Sequence, residues 1–401
     1  MSRRLACALI ASFCLAVSVS PASAVAAGAE DSEASSARSH GGPLQLALKG
    51  LTDAKAVSAI AEVNDGDRRW RGVTGVTDLV GRTPVRGDGR FRIGSVTKTF
   101  TATTVLQLVG ERRIGLEDPV SSHLPGLVPN GQNITVRQLL NQRTGLFDAT
   151  NDGTDIFPDL NDPAVFRSWL AQGGLNRTFT ARQLVTASVS NAPYFAPGTQ
   201  WGYSNTNFDI LGLIIEQVTG HPYGQEVSRR ILRPLGMTKT TVPGLSTTIP
   251  GPHAHSYWTT VDGAGTGNVT KTDIDVTDQN PTWAGAAGEM ISTTDDLIRF
   301  DQALLHGKLL RPAEQREMTT MLETVPGSHE LDYGMGLARA QLSCTTVLGH
   351  NGGTFGFTTQ LWGTADRQVA LSYTPRGDDA EQTAQNTAGL KFLDAVFCGP
   401  R

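Results

Sequence analysis

Alternating apolar and polar positions predict two strands near the start of the folded chain and several more near its end. The first two surround the turn Asn64-Asp65-Gly66-Asp67, a strong β-hairpin signal, and cover residues 56–63 and 68–76. Strand-like runs return at residues 333–338, 345–348, 357–362 and 369–373. Strands at both ends of a chain with helices between them predict an α+β fold, in which a single sheet is completed late.

Apolar residues at helical spacing predict the segments between these strands and a final helix. The predicted helices cover residues 44–51, 95–109, 135–142, 181–188, 207–218, 224–232 and 382–397. Between residues 116 and 284 the helices alternate with loops rich in Gly, Pro and Asn. We therefore expect one catalytic domain over residues 44–401, with an α/β part at 44–115 and 285–401 and a mainly helical insertion at 116–284.

The first 24 residues have the organisation of a secretory signal. Arg3 and Arg4 precede an apolar run at residues 5–19, and Ala22-Ser23-Ala24 is a small-residue cleavage site. A second cleavage site at Ala24-Val25-Ala26 and twin-arginine export both stay open. Residues 25–43 have little to bury and predict a disordered leader. We expect a secreted protein without a stable membrane anchor.

Charge and cysteine content indicate which partners and which redox environment we should expect. The net charge is −4, and there is no arginine-rich stripe, so nucleic acid is not an expected partner. Removal of the signal leaves Cys344 and Cys398, an even pair that favours a disulfide in an exported chain. Two unpaired thiols are the alternative. We expect a monomer.

Ser95-Val96-Thr97-Lys98 is the only S-x-x-K tetrad in the chain and opens a predicted helix. One helical turn separates the serine and the lysine, which places both side chains on one face. A hydroxyl beside an amine suits a serine acyl-transferase, which needs a nucleophile next to a proton acceptor. A capping serine followed by a solvated lysine is the structural alternative.

Two further motifs bring groups suited to the same chemistry. Tyr203-Ser204-Asn205, the only Y-x-N, offers a phenol for proton transfer and an amide for a substrate amide, or else a helix cap over a packed tyrosine. The segment Gly349-His350-Asn351-Gly352-Gly353-Thr354 lies between two strand-like runs. Its glycines let another backbone approach, so this edge could pair with a peptide, and His350 could supply a proton or positive charge. A plain hairpin turn is the alternative.

Other chemistries have weaker support. No G-x-S-x-G elbow and no H-E-x-x-H motif occurs, and His253-Ala254-His255 lacks an obvious third metal ligand. No metal or organic cofactor is implied.

Taken in order, the S-x-x-K, Y-x-N and H-x-G motifs resemble those of the penicillin-recognising serine hydrolases. The closer resemblance is to secreted serine D-alanyl-D-alanine carboxypeptidases and class C β-lactamases, over residues 44–398. Supporting matches are the runs at residues 139–146, 197–198, 234–237 and 283–288. The late cysteine pair is similar to that of actinobacterial carboxypeptidases. The resemblance implies the serine β-lactamase/D,D-peptidase fold, an antiparallel sheet flanked by helices.

The resemblance also implies roles for individual residues. Ser95 would be acylated, Lys98 would help to remove its proton, and Tyr203 would carry that proton to the leaving amine. Asn205 would hold the substrate amide, and His350 would replace the lysine of the usual K-T-G element. The backbone N–H groups of Ser95 and Gly353 would form the oxyanion hole. Trp283 would line the substrate cleft.

One departure from the carboxypeptidase pattern bears on the substrate. Those enzymes usually carry hydroxyl residues in the H-T-G-T element to bind the substrate's free carboxylate, whereas this chain has Asn351 and Gly353. Asn351 can still form hydrogen bonds, and Arg339 is a possible cation nearby.

These observations rank the possible activities. Our first expectation is a D-alanyl-D-alanine carboxypeptidase acting on cell-wall peptides, with β-lactams as inhibitors. An esterase or a D-amino-acid-specific peptidase or amidase is the alternative, and a β-lactamase is third. A penicillin-binding sensor without activity fits poorly with an intact nucleophile, base and tyrosine.

Overall fold

The computed structural model describes residues 41–151, 154, 156–263, 268–328 and 330–399. In that part of the chain the main sheet has eight antiparallel strands, in the order β2-β1-β12-β11-β10-β9-β8-β7. They are β1 (Ser58–Asp65), β2 (Arg68–Gly75), β7 (Leu322–Glu323), β8 (Leu331–Tyr333), β9 (Ala338–Gln341), β10 (Thr346–Thr354), β11 (Phe357–Gly363) and β12 (Arg367–Tyr373). Two small two-stranded sheets pair β3 (Phe91–Arg92) with β6 (Ile291–Ser292) and β4 (Tyr257–Asp262) with β5 (Thr270–Asp275).

Helices cover both faces of the main sheet. They are α1 (Gly41–Asp53), α2 (Thr97–Gly110), α3 (Val120–His123), α4 (Val136–Leu140), α5 (Pro163–Ala171), α6 (Ala181–Val189), α7 (Asn205–Thr219), α8 (Tyr223–Val227), α9 (Gly285–Gly288), α10 (Thr294–Leu305), α11 (Pro312–Thr319) and α12 (Asp379–Cys398). A π-helical turn at Ser228–Leu232 continues α8. The predicted α+β class, an antiparallel sheet flanked by helices, is confirmed.

Two apolar cores meet at the sheet because successive side chains on a strand point to opposite faces. On one face α1 and α12 pack over Val369 and Leu371 of β12. On the other face Ala370 belongs to a larger core that includes Phe100 of α2 and Phe300 of α10. The β1–β2 hairpin pairs with the late strand β12, so the two ends of the folded chain complete one sheet.

The segment at residues 333–338 is not the single strand that the sequence predicts. It contains the turn between β8 and β9, in which the Gly334 N–H donates to the Leu337 carbonyl. Gly336 in this turn has a φ of 66°, a value that favours glycine over other residues. The apolar run is therefore a tight hairpin, and each half pairs with the other.

The described part of the chain begins with α1 and ends just after α12, which carries a disulfide. The predicted signal and most of the predicted leader lie outside the described residues, whereas residues 41–43 belong to α1. Cys344, before β10, forms a disulfide with Cys398 at the end of α12. Among the described helices, none is long and apolar enough to cross a membrane.

Candidate active site

Ser95 lies in a 3₁₀ turn, Gly94–Val96, that leads directly into α2. Gly94 has a φ of 52°, and a Cβ atom there would lie 2.6 Å from the Gly353 carbonyl oxygen. Only glycine allows this turn to adopt that backbone conformation so close to β10. Ser95 is 3% exposed, and its Oγ accepts a hydrogen bond of 3.1 Å from Lys98 Nζ. The expected serine–lysine pair is therefore formed.

Lys98 is fully buried in α2, in contrast to a solvated surface lysine. Its Nζ also donates to Asn205 Oδ1 at 2.5 Å and to the Ala287 carbonyl at 2.8 Å, and it lies 4.9 Å from the centre of the Tyr203 ring. Burial lowers the pKa of Lys98 to about 7, against the opposing charge of Asp148. A lysine with such a pKa is partly neutral near pH 7 and can accept a proton.

Tyr203 stands beside this pair, immediately before α7. Its hydroxyl is shielded from solvent and has no hydrogen bond of normal length to any described residue. Burial raises the pKa of Tyr203 well above its usual range, and Ser95 opposes the rise only in part. The Tyr203 hydroxyl is therefore protonated at neutral pH, so it can act first as a proton donor and afterwards as a proton acceptor.

Asn205 begins α7, and its side chain is held by a carboxylate. Asn205 Nδ2 donates to Asp148 Oδ2 at 3.0 Å and to Thr150 Oγ1 at 2.9 Å, while Oδ1 faces Lys98. The other oxygen of Asp148 accepts from the backbone and hydroxyl of Thr150. Asp148, which is 5% exposed, therefore fixes which way the Asn205 amide points.

The H-N-G-G segment is part of a strand and not a hairpin turn. It lies in the second half of β10, a strand that pairs with β11 from Leu348 to Thr354 but with β9 only from Thr346 to Gly349. A Cβ atom on Gly352 would lie 2.7 Å from the Ser95 nitrogen, and one on Gly94 would lie 2.7 Å from the Gly353 nitrogen. These glycines allow the backbone of β10 to approach the Ser95 turn closely, and an oxyanion hole built from the Ser95 and Gly353 N–H groups would need such an approach.

His350 lies next to the tyrosine but differs from the expected source of positive charge. Burial and the nearby Lys98 charge lower the pKa of His350 to about 3, so the imidazole is neutral. Its Nδ1 is 2.5 Å from the Asn351 carbonyl and its Nε2 is 3.1 Å from the Tyr333 hydroxyl. Both ring nitrogens are occupied, so His350 supplies neither a proton nor a positive charge here.

The remaining predicted residues lie around the same strand. The side chain of Asn351 is partly exposed on β10. Trp283 packs against Phe355, the residue that follows β10, with ring centres 5.3 Å apart. The possible carboxylate-binding cation, Arg339, instead forms an ion pair with the buried Asp332. The role of Trp283 as a wall of the substrate cleft stays a prediction.

Sequence reasoning missed three residues that contact the predicted ones. Asp148 follows a matched run and is the one charged residue between Arg143 and Asp152 in the sequence, which was a usable signal. Tyr333, on β8, has no motif of its own. Gln142 adopts a φ of 63° while its side-chain oxygen accepts from the Ser204 nitrogen, a contact that only the folded chain creates.

The two histidines of the His253-Ala254-His255 run contact other groups of the protein. His255 contacts Asp275 through Nδ1 at 2.6 Å, and His253 contacts the Gly251 carbonyl. In the described ranges, no group of three or more His, Cys, Asp or Glu residues could hold a metal ion.

The antiparallel sheet, its flanking helices and the Ser95–Lys98–Tyr203 cluster define a serine hydrolase with the fold of β-lactamases and penicillin-binding proteins. The family model for beta-lactamase matches residues 49–395, and the chain belongs to this family.

The chain is similar to penicillin-binding proteins as well as to a D-aminopeptidase and a D-stereospecific amidohydrolase. The chain is 26% identical to penicillin-binding protein 4* of Bacillus subtilis over 83% of this chain and 70% of that protein. It is 28% identical to the D-aminopeptidase of Brucella anthropi over 78% of this chain, which spans about half (54%) of that protein. The structure of a D-stereospecific amidohydrolase from Streptomyces sp. superposes with a TM-score of 0.76 at 37% identity, covering 90% of this chain and 99% of that one.

Proposed function

We propose that the protein hydrolyses amides or short peptides of D-amino acids through an acyl-serine intermediate. Ser95 Oγ attacks the carbonyl carbon while neutral Lys98 accepts its proton. The C–N bond breaks as the leaving amine takes the proton of the Tyr203 hydroxyl, and the proton on Lys98 then restores that hydroxyl. Water releases the acyl group through the same residues in the reverse roles.

Backbone N–H groups stabilise the charge that develops on the substrate oxygen. The approach of β10 to the Ser95 turn supports the Ser95 and Gly353 nitrogens as the two donors. Loss of one such donor typically costs about a hundredfold or more in rate. Asn205, oriented by Asp148, would hold the substrate amide.

The substrate class is inferred from what the H-N-G-G segment offers to a carboxylate. Carboxylate binding needs a cation or several good donors. Here His350 is neutral, Arg339 is engaged by Asp332, and glycine replaces a hydroxyl residue at Gly353. This observation favours a substrate without a free carboxylate next to the scissile bond. The similarity to a D-stereospecific amidohydrolase over nearly the whole chain supports the same substrate class.

A D-alanyl-D-alanine carboxypeptidase is the second candidate. The second half of β10 extends past β9, and an extended peptide could pair with that edge. Asn351, partly exposed on this strand, could donate to a terminal carboxylate. The similarity to a penicillin-binding protein supports this reading, with cell-wall peptides as substrates and β-lactams as inhibitors.

In either case we propose that residues 1–24 direct export and are removed.

Initial rates with matched substrates test the proposal. The purified mature protein should hydrolyse D-alanine amide faster than L-alanine amide. Its kcat/KM for the D-amide should exceed that for a peptide ending in D-Ala-D-Ala by about tenfold or more. Faster turnover of the peptide would favour the carboxypeptidase instead, and rapid hydrolysis of nitrocefin would favour a β-lactamase.

Serine variants test the chemistry independently of the substrate. Ser95→Ala should reduce every one of these activities to background. Ser372→Ala removes a buried serine of β12 and should leave them unchanged. Residual wild-type turnover in Ser95→Ala would exclude the acyl-serine route.

A further inference from the structure

Tyr333 is a buried tyrosine that none of the steps above uses. It ends β8, is 2% exposed, and its hydroxyl lies 3.1 Å from His350 Nε2. Its ring meets those of Tyr203 and His350 nearly edge to face, at centre-to-centre distances of 6.4 and 5.7 Å. Tyr333 therefore contacts the proposed proton donor and the H-N-G-G strand at the same time.

The direction of each hydrogen bond around His350 follows from its partners. A carbonyl oxygen can only accept, so the Nδ1 that faces the Asn351 carbonyl carries the ring proton. The other nitrogen of a neutral ring is an acceptor, so the Tyr333 hydroxyl donates to Nε2. Burial raises the pKa of Tyr333, which keeps this hydroxyl protonated and able to donate. The imidazole thus has one orientation and one tautomer.

The same tyrosine is connected to the segment that carries Tyr203. The Tyr333 ring packs against that of Trp201, two residues before Tyr203, with ring centres 5.9 Å apart. The backbone of this segment is held by Gln142, which accepts hydrogen bonds from the Gly202 nitrogen at 2.9 Å and the Ser204 nitrogen at 3.1 Å. These two residues flank Tyr203. Tyr333 consequently lies between the backbone on either side of Tyr203 and the strand β10, which carries the proposed oxyanion donor Gly353.

We propose that Tyr333 is a positioning residue, which holds His350 with its proton on Nδ1 and so fixes β10 against the Tyr203 segment. The neutral ring of His350 then holds the Asn351 peptide group in place through its Nδ1 hydrogen bond. This peptide group adjoins the backbone of Gly352 and Gly353. A rotated imidazole would release the Asn351 carbonyl and leave a buried nitrogen without a partner. The inference rests on the acyl-serine function proposed for this site.

A pair of matched tyrosine variants tests the proposal. Tyr333→Phe removes only the hydroxyl, and Tyr373→Phe removes the hydroxyl of another buried tyrosine in the same sheet, which bonds Asn386 Oδ1 at 2.6 Å. We expect Tyr333→Phe to lower kcat for D-alanine amide roughly tenfold or more, and to lower it far more than Tyr373→Phe at similar thermal stability. Equal effects of the two variants, or a normal kcat in Tyr333→Phe, would overturn the proposal.

The imidazole itself provides a readout that a structural role would not move. Nitrogen NMR of the wild-type protein, with the His350 signals assigned by a His350→Gln variant, should show a neutral ring protonated at Nδ1 from pH 6 to 8. Tyr333→Phe should show a mixture of tautomers. A charged ring, or a proton on Nε2, in the wild type would overturn the proposal even if Tyr333→Phe failed to fold.

The two proposals fail in different ways. If Ser95→Ala keeps its turnover, the proposed function fails. If Ser95→Ala is inactive while Tyr333→Phe has normal kinetics and an unchanged His350 spectrum, only the role of Tyr333 fails.

Discussion

Lys98 shows how burial alone can turn an ordinary residue into a proton acceptor. Three acceptors, from Ser95, Asn205 and Ala287, satisfy its nitrogen, yet the loss of hydration still lowers its pKa to about 7. The charge of Asp148 keeps the pKa of Lys98 from falling further. The sequence could place this lysine beside the serine, but its burial depends on helices far away in the chain.

The pH dependence of activity should report the ionisation of Lys98. Because the neutral amine accepts the serine proton, kcat/KM should rise as the pH increases through about 7 and then level off. His350, with a pKa lowered to about 3, should not contribute to this limb. Lys98→Ala should lose about a hundredfold or more in kcat at all pH values. A rate independent of pH between 6 and 8 would contradict this role.

Two buried acids in the site should respond in opposite ways when neutralised. Both oxygens of Asp148 accept hydrogen bonds, so Asp148→Asn should lower Tm. Neither oxygen of Asp209 has a partner in the described part of the chain, and burial raises its pKa, so Asp209→Asn should raise Tm.

The sign of the Asp209 effect on stability follows from its proton uptake. Folded Asp209 holds a proton at pH values where the unfolded chain has lost it, so the free energy of unfolding falls as the pH rises above about 4. The stabilisation by Asp209→Asn should therefore grow from pH 4 to pH 7, as thermal melts at several pH values can show. A gain that is largest at pH 4 would contradict the assignment.

At the scale of elements, local patterns predicted many helices and strands but missed others, including α5, α10 and α11. The β1–β2 hairpin, α7 and α12 match because turn residues and apolar spacing agree there. The β4–β5 hairpin was missed because its strand Thr270–Asp275 is mostly polar and at least partly exposed. In β10 the glycines suggested a turn, whereas pairing with β11 keeps the segment extended.

Glycine at position 352 should be essential to the site because no side chain fits between β10 and the Ser95 turn. A Cβ atom there would meet the Ile93 carbonyl and the Ser95 nitrogen. Gly352→Ala should therefore lower kcat by about a hundredfold or more through the displaced oxyanion donors. Gly50→Ala, in α1, meets only ordinary contact at 3.9 Å and should keep full activity. Comparable kinetics in the two variants would argue against a tight approach of the two backbones.

At the scale of the whole molecule, the site is assembled from parts that are distant in sequence. Ser95 and Lys98 come from the first sheet-forming part, Asn205 from the helical insertion, and His350 from a late strand. Spaced motifs predicted these members because each carries a recognisable pattern. Asp148 and Tyr333 carry no such motif, and their importance arises from contacts with residues 57 and 17 positions away in the chain.

The disulfide should stabilise the molecule without affecting catalysis. Cys344 precedes the start of β10, whereas His350 to Gly353 lie toward its other end, and Cys398 ends α12. In the chain-entropy model a bond across 54 positions contributes on the order of 4 kcal/mol. The double variant Cys344→Ser, Cys398→Ser should unfold at a clearly lower temperature while keeping its kcat at low temperature. An equal Tm, or two free thiols in the wild type, would contradict the bond.

The central claim is that Ser95 carries the acyl group during turnover. Its most direct test is mass spectrometry of the protein quenched in acid during hydrolysis of D-alanine methyl ester, followed by proteolysis. We expect a D-alanyl adduct on the peptide that contains Ser95, and no adduct in Ser95→Ala. Turnover with an adduct on another residue, or undiminished turnover in Ser95→Ala, would contradict it.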